Sequence, residues 1–205
     1  MSPGHLDASC LADWLRAFAQ DVDTNEALLT DLDRQIGDAD HGANMVRGMR
    51  AVAALDPREF SDARGYLKKA ALTLISTVGG AAGPLYGTLL LRMATALPPD
   101  GPIGHQQWSV ALHAAVDGVR ERGKAAPGDK TMLDALHPAV LAFDARPDAP
   151  WAAAVEASAR GRDQTVPMVA RKGRASYLGQ RSAGVADPGA TSAALLVASA
   201  ARTFA

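Results

Sequence analysis

The sequence predicts an all-α bundle of about eight antiparallel helices, on three observations. Apolar residues recur at helical spacing: Leu11, Leu15, Phe18 and Val22 at +4, +3, +4, Leu67, Ala71, Leu74 and Val78 at +4, +3, +4, and Leu112, Val116 and Val119 at +4, +3. Period-2 alternation of β-branched residues is nearly absent, which removes the strand signal. The segments between breakers are joined by short connections, and short connections make neighbouring helices antiparallel.

Taken in order, the breakers delimit helices over residues 6–31, 43–54, 62–78, 84–96, 106–122, 131–144, 149–165 and 189–203. Asp56-Pro57, Gly79-Gly80, Leu97–Gly104, Gly123–Gly128, Arg146-Pro147 and Gly184–Gly189 separate them. Alanine-rich stretches, Trp151–Ala159 and Ser192–Ala201, add intrinsic propensity to periodicity. Asp148-Ala-Pro150 and Asp187-Pro188 have the form of an N-cap followed by proline in the first turn. Pro138 falls inside a predicted helix, where it should kink or shorten it. No internal repeat or long linker interrupts the chain, so residues 1–205 are expected to form one domain.

Size and charge narrow the function classes. A chain of 205 residues can bury about 70% of its unfolded surface. A formal net charge of −1 carries no nucleic-acid footprint. One cysteine, Cys10, rules out an internal disulfide and fits a reducing compartment. No basic-plus-apolar leader opens the sequence, and the expected location is the cytoplasm. Ala70 to Leu91 has no charged residue and is long enough to span a bilayer, but Gly79-Gly80, Gly83-Pro84 and Gly87 break it midway. Two buried helices around a glycine-rich loop are expected there, with no membrane association.

The unusual residues fall into a few polar clusters. Residues 33–44 carry Asp33, Asp38 and Asp40 among Gly37, Gly42, His41 and Asn44. Asp supplies short, hard oxygen donors of the kind Mg²⁺ takes, while Asp and Gly are also ordinary turn residues that cap a following helix. The loop Gly79–Pro84 precedes a helix start, where free amides and the helix dipole favour an anion; a tight helix–helix turn would read the same. Residues 170–181 hold four basic residues and two glycines without clear periodicity, which suits either a solvated face or a phosphate-facing loop. Gly128-Asp129-Lys130-Thr131-Met132 is a weaker candidate, readable as a capped helix start.

Elimination sharpens the carboxylate cluster. An EF-hand beginning at Asp38 would need an oxygen ligand and a final Glu where the chain has Gly42 and Met49. Zinc is poorly served, because His41 has no partner at ligand spacing and Cys10 is distant. No Gly-x4-Gly-Lys-Ser/Thr motif is present. What remains is Mg²⁺ on carboxylates with phosphates on loop amides and arginine, the division of labour of nucleotide chemistry.

Five motifs then appear in order: Asp33-x4-Asp38-x-Asp40-His41-Gly42-x-Asn44, Val78-Gly-Gly-Ala-x-Gly-Pro-Leu85, Gly128-Asp-Lys-Thr-Met132, Ala170-Arg-Lys-Gly-Arg-Ala-Ser-Tyr-Leu-Gly179 and Asp187-Pro-Gly-Ala-Thr191. Together they resemble the DhaL family, the nucleotide-binding subunits of dihydroxyacetone kinases, from about residue 10 onward. The resemblance implies an all-α barrel of eight antiparallel helices with Mg-ADP or Mg-ATP at one end. Asp33, Asp38 and Asp40 would hold two Mg²⁺ ions. His41, Gly42, Ala43, Asn44, Ala81, Ala82, Gly123, Met132, Arg174, Asp187, Pro188 and Gly189 would line the nucleotide. Met132 suits an adenine as a soft contact, and Arg174 suits a phosphoryl oxygen in catalysis.

The resemblance further implies a DhaK-type subunit as partner, carrying dihydroxyacetone covalently on a histidine of its own, and a DhaM-type phosphotransferase-system protein as phosphoryl donor. Two alternatives are an ATP-dependent stand-alone subunit of a related ketose kinase, and a non-catalytic nucleotide-sensing module docked on a regulator. The chain departs from the family pattern at Ala82, where a hydroxyl residue is common, and at Val185-Ala186, where His-Gln is common.

Overall fold

The structure is a computed structural model that describes residues 4–98 and 102–205. Residues 99–101, inside the predicted breaker Leu97–Gly104, and residues 1–3 of the expected domain lie outside the described residues.

Among the described residues the chain forms nine α-helices: α1 Ala8–Thr24, α2 Glu26–Ile36, α3 His41–Ala53, α4 Ala63–Thr77, α5 Ala82–Ala96, α6 His105–Gly123, α7 Leu133–Ala145, α8 Pro150–Gln164 and α9 Pro188–Phe204. A two-residue antiparallel ladder pairs Gly4 with Ile103 and His5 with Pro102. The predicted helix 6–31 is two helices. Asn25 interrupts it, its Nδ2 donating to the Asp21 carbonyl at 2.8 Å, and the helix then runs on to Ile36. A side chain that caps its own preceding turn competes with helix continuation. Because α1 and α2 follow end to end, both packing on α3 and α9, the nine helices make eight rods.

The rods close into a ring: α1 packs on α3, each helix from α3 to α8 packs on its successor, and α9 returns to α1. The barrel interior is apolar, with Leu11, Phe18, Met45, Leu67, Leu74, Met93, Ala111 and Ala193 among its buried residues. At about 25 cal/mol per Å² of apolar surface removed from water, this interior is the main term holding the ring together. Trp14, Trp108, Trp151 and Phe204 pack edge-on or tilted with centroids 4.7–5.8 Å apart. A small apolar cavity of about 40 Å³ lies beside this cluster, lined by Trp14, Met93, Leu136 and Trp151 among others.

Two predicted signals resolve differently from their sequence reading. Pro138 neither ends nor splits α7, which continues from Leu133 to Ala145. Its missing N–H leaves the Asp134 carbonyl without an in-helix donor. Gly161 of α8 packs against that carbonyl so closely that a Cβ there would sit 1.9 Å from it. Asp148 does not cap α8, whose N-cap is Ala149 followed by Pro150, whereas Asp187 does cap α9, accepting from the Ala190 N–H at 2.7 Å.

Candidate functional site

Alternation of helix direction brings the first turns of α3, α5 and α9 and the N-cap of α7 to one end of the barrel. There His41, Ala81, Ala82, Met132 and Pro188 line a single cavity of about 190 Å³. Four helix starts directed at one space make it favourable for anions. The opposite end holds the aromatic cluster: Phe204 lies sixteen residues along α9 from Pro188, about 24 Å away at the helical rise.

Asp33, Asp38 and Asp40 converge at this end, each offering a carboxylate oxygen within 4.8 Å of the others. Asp33 comes from the last turn of α2 and is only 8% exposed. Its Oδ2 accepts from the backbone N–H of Asp40 at 2.9 Å and of His41 at 3.1 Å, so it also tethers the start of α3. The two sequence readings of this cluster, helix cap and convergent donor set, therefore coexist. Ala39 between them has φ +64°, a left-handed conformation unusual for a residue with a Cβ. Such a conformation costs of order 1 kcal/mol and persists where surroundings over-determine it. Gly37 approaches Asp33 so closely that any side chain there would strike its carboxylate, at 2.1 Å.

Arg174 reaches over from the 165–187 segment to pair with Asp38, Nη1 to Oδ2 at 3.0 Å. His41 is held by a buried chain: its Nε2 lies 2.9 Å from Ser192 Oγ, which lies 2.7 Å from the Tyr86 hydroxyl. Burial lowers the His41 pKa, outweighing the nearby Asp33 and Asp40 charges, and so favours the neutral ring. Asp187 moves the other way. Burial lifts its carboxyl to about 7, with Asp134 and Asp33 adding repulsion and the Ala190 N–H and Lys130 opposing.

The cavity is lined by Asp33, Asp38, Asp40, His41, Asn44, Ala81, Ala82, Met132, Arg174, Asp187, Pro188 and Gly189 of the expected residues. Gly123 lines an adjoining cavity of about 390 Å³, which shares Ala81, Leu85 and Met132 with the first. Gly42 and Ala43 place no side chain in either cavity, while both belong to the first turn of α3, whose backbone N–H groups lack in-helix acceptors. Gly42 faces α2, where a Cβ would meet Thr30 Oγ1 at 2.3 Å and the Glu26 carbonyl at 2.4 Å. Ala43 is exposed and lines neither cavity. The spacing of α3 turns both away from the cavity, on either side of His41 and Asn44.

The structure gives roles to residues that the sequence left without one. Lys130, with φ +63°, is 1% exposed and lines the cavity. Asp134 accepts from the N–H groups of Gly128 at 2.5 Å and Thr131 at 2.7 Å, shaping the turn that presents Met132. The Gly128-Asp-Lys-Thr motif was the available signal for both. Tyr86 and Ser192 stand within helical apolar runs, and nothing in the sequence marks them.

The residues present fit a Mg-nucleotide. Three hard oxygen donors converge, helix amides surround them, and Gly79 and Gly80 bring backbone to the cavity without side chains.

The comparisons point the same way. Residues 35–202 match the DAK2 domain family. The chain is 43% identical over 187 residues to "PEP-dependent dihydroxyacetone kinase 1, ADP-binding subunit DhaL" of Listeria innocua, covering 89% of this chain and 90% of that protein. It is 42% identical over 194 residues to the "PEP-dependent dihydroxyacetone kinase, ADP-binding subunit DhaL" of Escherichia coli, covering 91% and 92%. The fold resembles the crystal structure of the dihydroxyacetone kinase of C. freundii in complex with AMP-PNP and Mg²⁺, with TM-score 0.71 and 24% identity over 98% of this chain and 35% of that one. With its motifs gathered at one barrel end and the match spanning most of its length, the chain belongs to the DAK2 domain family.

Proposed function

We propose that this chain is the nucleotide-holding phosphoryl-transfer subunit of a dihydroxyacetone kinase. The observation that carries the reading is the convergence of Asp33, Asp38 and Asp40 within 4.8 Å at the end where four helices begin. The relatives that match it along almost their whole length, and are named as ADP-binding subunits, support it.

In this reading the three aspartates would hold two Mg²⁺ ions together with ADP or ATP. Bound Mg²⁺ supplies charge neutralisation on the phosphate oxygens. His41, Asn44, Ala81, Ala82, Gly123 and the Asp187–Gly189 turn would line the nucleotide, with Met132 as a soft contact suited to the base. Arg174 leaves Asp38 to donate to the moving phosphoryl group, whose transfer needs positioning and charge stabilisation more than covalent help from the protein. The acceptor is dihydroxyacetone carried on a separate DhaK-type subunit. The donor in this reading is a DhaM-type phosphotransferase-system protein, in keeping with relatives named PEP-dependent, and the site of action is the cytoplasm.

Two measurements test this. Denaturing the purified protein and chromatographing the supernatant is expected to release ADP in stoichiometric amount; an empty site would point to exchangeable ATP instead. Asp38→Asn is expected to weaken Mg-ADP binding in calorimetry by at least about tenfold, the loss already seen when only an outer-shell partner of a metal ligand is removed. Unchanged ADP affinity in a folded Asp38→Asn protein would remove the metal assignment.

A further inference from the structure

Between α8 and α9, residues 165–187 form a long excursion with no α-helix, only a 3₁₀ stretch over Arg174–Ser182 broken at Gly179, where φ is +54°. Loops of this length inside a barrel need internal ties to hold one conformation. This one has a neck. The Asp187 N–H donates to Thr165 Oγ1 at 2.9 Å, and the Gly184 N–H donates to the Val166 carbonyl at 2.7 Å. Above the neck the Lys130 ammonium enters from outside the loop and donates to three carbonyls: Met168 at 3.1 Å, Ser182 at 2.5 Å and Val185 at 2.7 Å. Met168 lies on the outgoing arm, Ser182 and Val185 on the returning arm. Three N–H donors meet three carbonyl acceptors, one on the outgoing arm and two on the returning arm.

We infer that Lys130 is a positioning residue, a tethered cation that clasps the two arms of the 165–187 loop and so fixes where Arg174 stands over Asp38. Neighbouring bonds follow the same design. The Arg171 N–H donates to the Asp129 carbonyl at 3.0 Å, joining the loop to the residue before Lys130. The Ala170 N–H donates to Ser182 Oγ at 2.8 Å, bridging the arms one step further out. Charge-assisted bonds to backbone carbonyls are the stronger kind, and a buried cation, here with Asp187 as a nearby charge partner, does not leave them readily. The backbone at Lys130 is left-handed, in the turn that Asp134 ties through the Gly128 and Thr131 N–H groups. Its relevance to phosphoryl transfer rests on the function proposed above; the clasp itself does not.

The test uses the full chain and a matched pair of variants. Lys124 and Lys130 both stand at left-handed positions, φ +48° and +63°, in the same connection, but Lys124 is exposed. Replacing either by glycine removes one positive charge and suits the local backbone. Amide hydrogen exchange followed by mass spectrometry is expected to show residues 166–185 exchanging about tenfold faster or more in Lys130→Gly, with α3, α5 and α6 unchanged and Lys124→Gly like the parent. Because exchange is read without nucleotide, the outcome is separate from whether the chain transfers phosphoryl groups. Equal exchange of the loop in the two variants would overturn the proposal, and so would equal acceleration of loop and helices, which is general loosening. If Lys130→Gly does not fold, Lys130→Gln, which retains two N–H donors, is expected to show a smaller loop-confined acceleration; unchanged loop exchange in that folded variant overturns the proposal equally.

Discussion

Asp187 is the residue whose environment most alters its chemistry, and a pH dependence follows from it. Its carboxyl is lifted to about 7 by burial, against 3.8 in the unfolded chain. Between these values the folded state holds a proton that the unfolded state has lost, so this contribution is full below pH 4 and is lost as pH rises toward 7. The metal-free, nucleotide-free protein is therefore expected to show a falling denaturant midpoint across that window. Asp187→Asn, which keeps an oxygen acceptor for the Ala190 N–H, is expected to flatten the fall; equal slopes in the two proteins would contradict it. At this same scale the sequence was most uneven. Asp33, Asp38 and Asp40 were legible because carboxylates crowded in a short stretch are conspicuous. Lys130 was not, because lysine is ordinarily exposed and its partners are backbone carbonyls 38, 52 and 55 residues away. Gly42 and Ala43 adjoin His41 in the motif, yet their side-chain positions fall elsewhere, because a helix sends neighbours along the chain to different faces.

Among elements, the tightest crossing is that of α7 and α8. Pro138 frees the Asp134 carbonyl, and Gly161 lets α8 lie on it. An alanine in a helix is ordinarily about 1 kcal/mol better than glycine, so propensity alone predicts that Gly161→Ala stabilises. Sterics reverse the sign here. A Cβ 1.9 Å from a backbone oxygen and 3.0 Å from Pro138 Cγ forces the helices apart, and overpacking of this kind costs about 1–3 kcal/mol. Gly161→Ala is expected to lower the chemical-denaturation midpoint, and a rise would refute the crossing as described. The displacement would also reach the site, since the Asp134 side chain holds the Gly128–Thr131 turn. Helix existence and order were legible from the 3.6-residue period. The break at Asn25 was not, because a single asparagine without Gly or Pro leaves the apolar period of Leu11 to Val22 and Leu29 to Ile36 uninterrupted.

The whole molecule separates its two kinds of chemistry by the length of a helix: polar and anion-seeking at the helix starts, aromatic at the far end. Phe204 touches Trp14, Trp108 and Trp151 together, at centroid distances of 5.8, 4.7 and 5.7 Å. Phe204→Ala is expected to cost about 2 kcal/mol and to shift tryptophan emission to the red, while leaving nucleotide binding unchanged. A loss of binding equal to the loss of stability would mean that the two ends are coupled. Eight-rod closure was only partly legible: short connections imply antiparallel neighbours, but no local pattern says that α9 must return to α1.

The neck of the 165–187 loop has a consequence for how such a barrel can vary. Chain enters at Thr165 and leaves at Asp187 through a neck of two hydrogen bonds, so α8 and α9 are already joined in space before the loop begins. Loop residues outside its ties to Asp129, Lys130 and α2 can lengthen, shorten or change without asking the rods to move. The barrel is thus a chassis with an exchangeable tool, and new recognition can be grafted there while the aspartates and the aromatic base stay as they are.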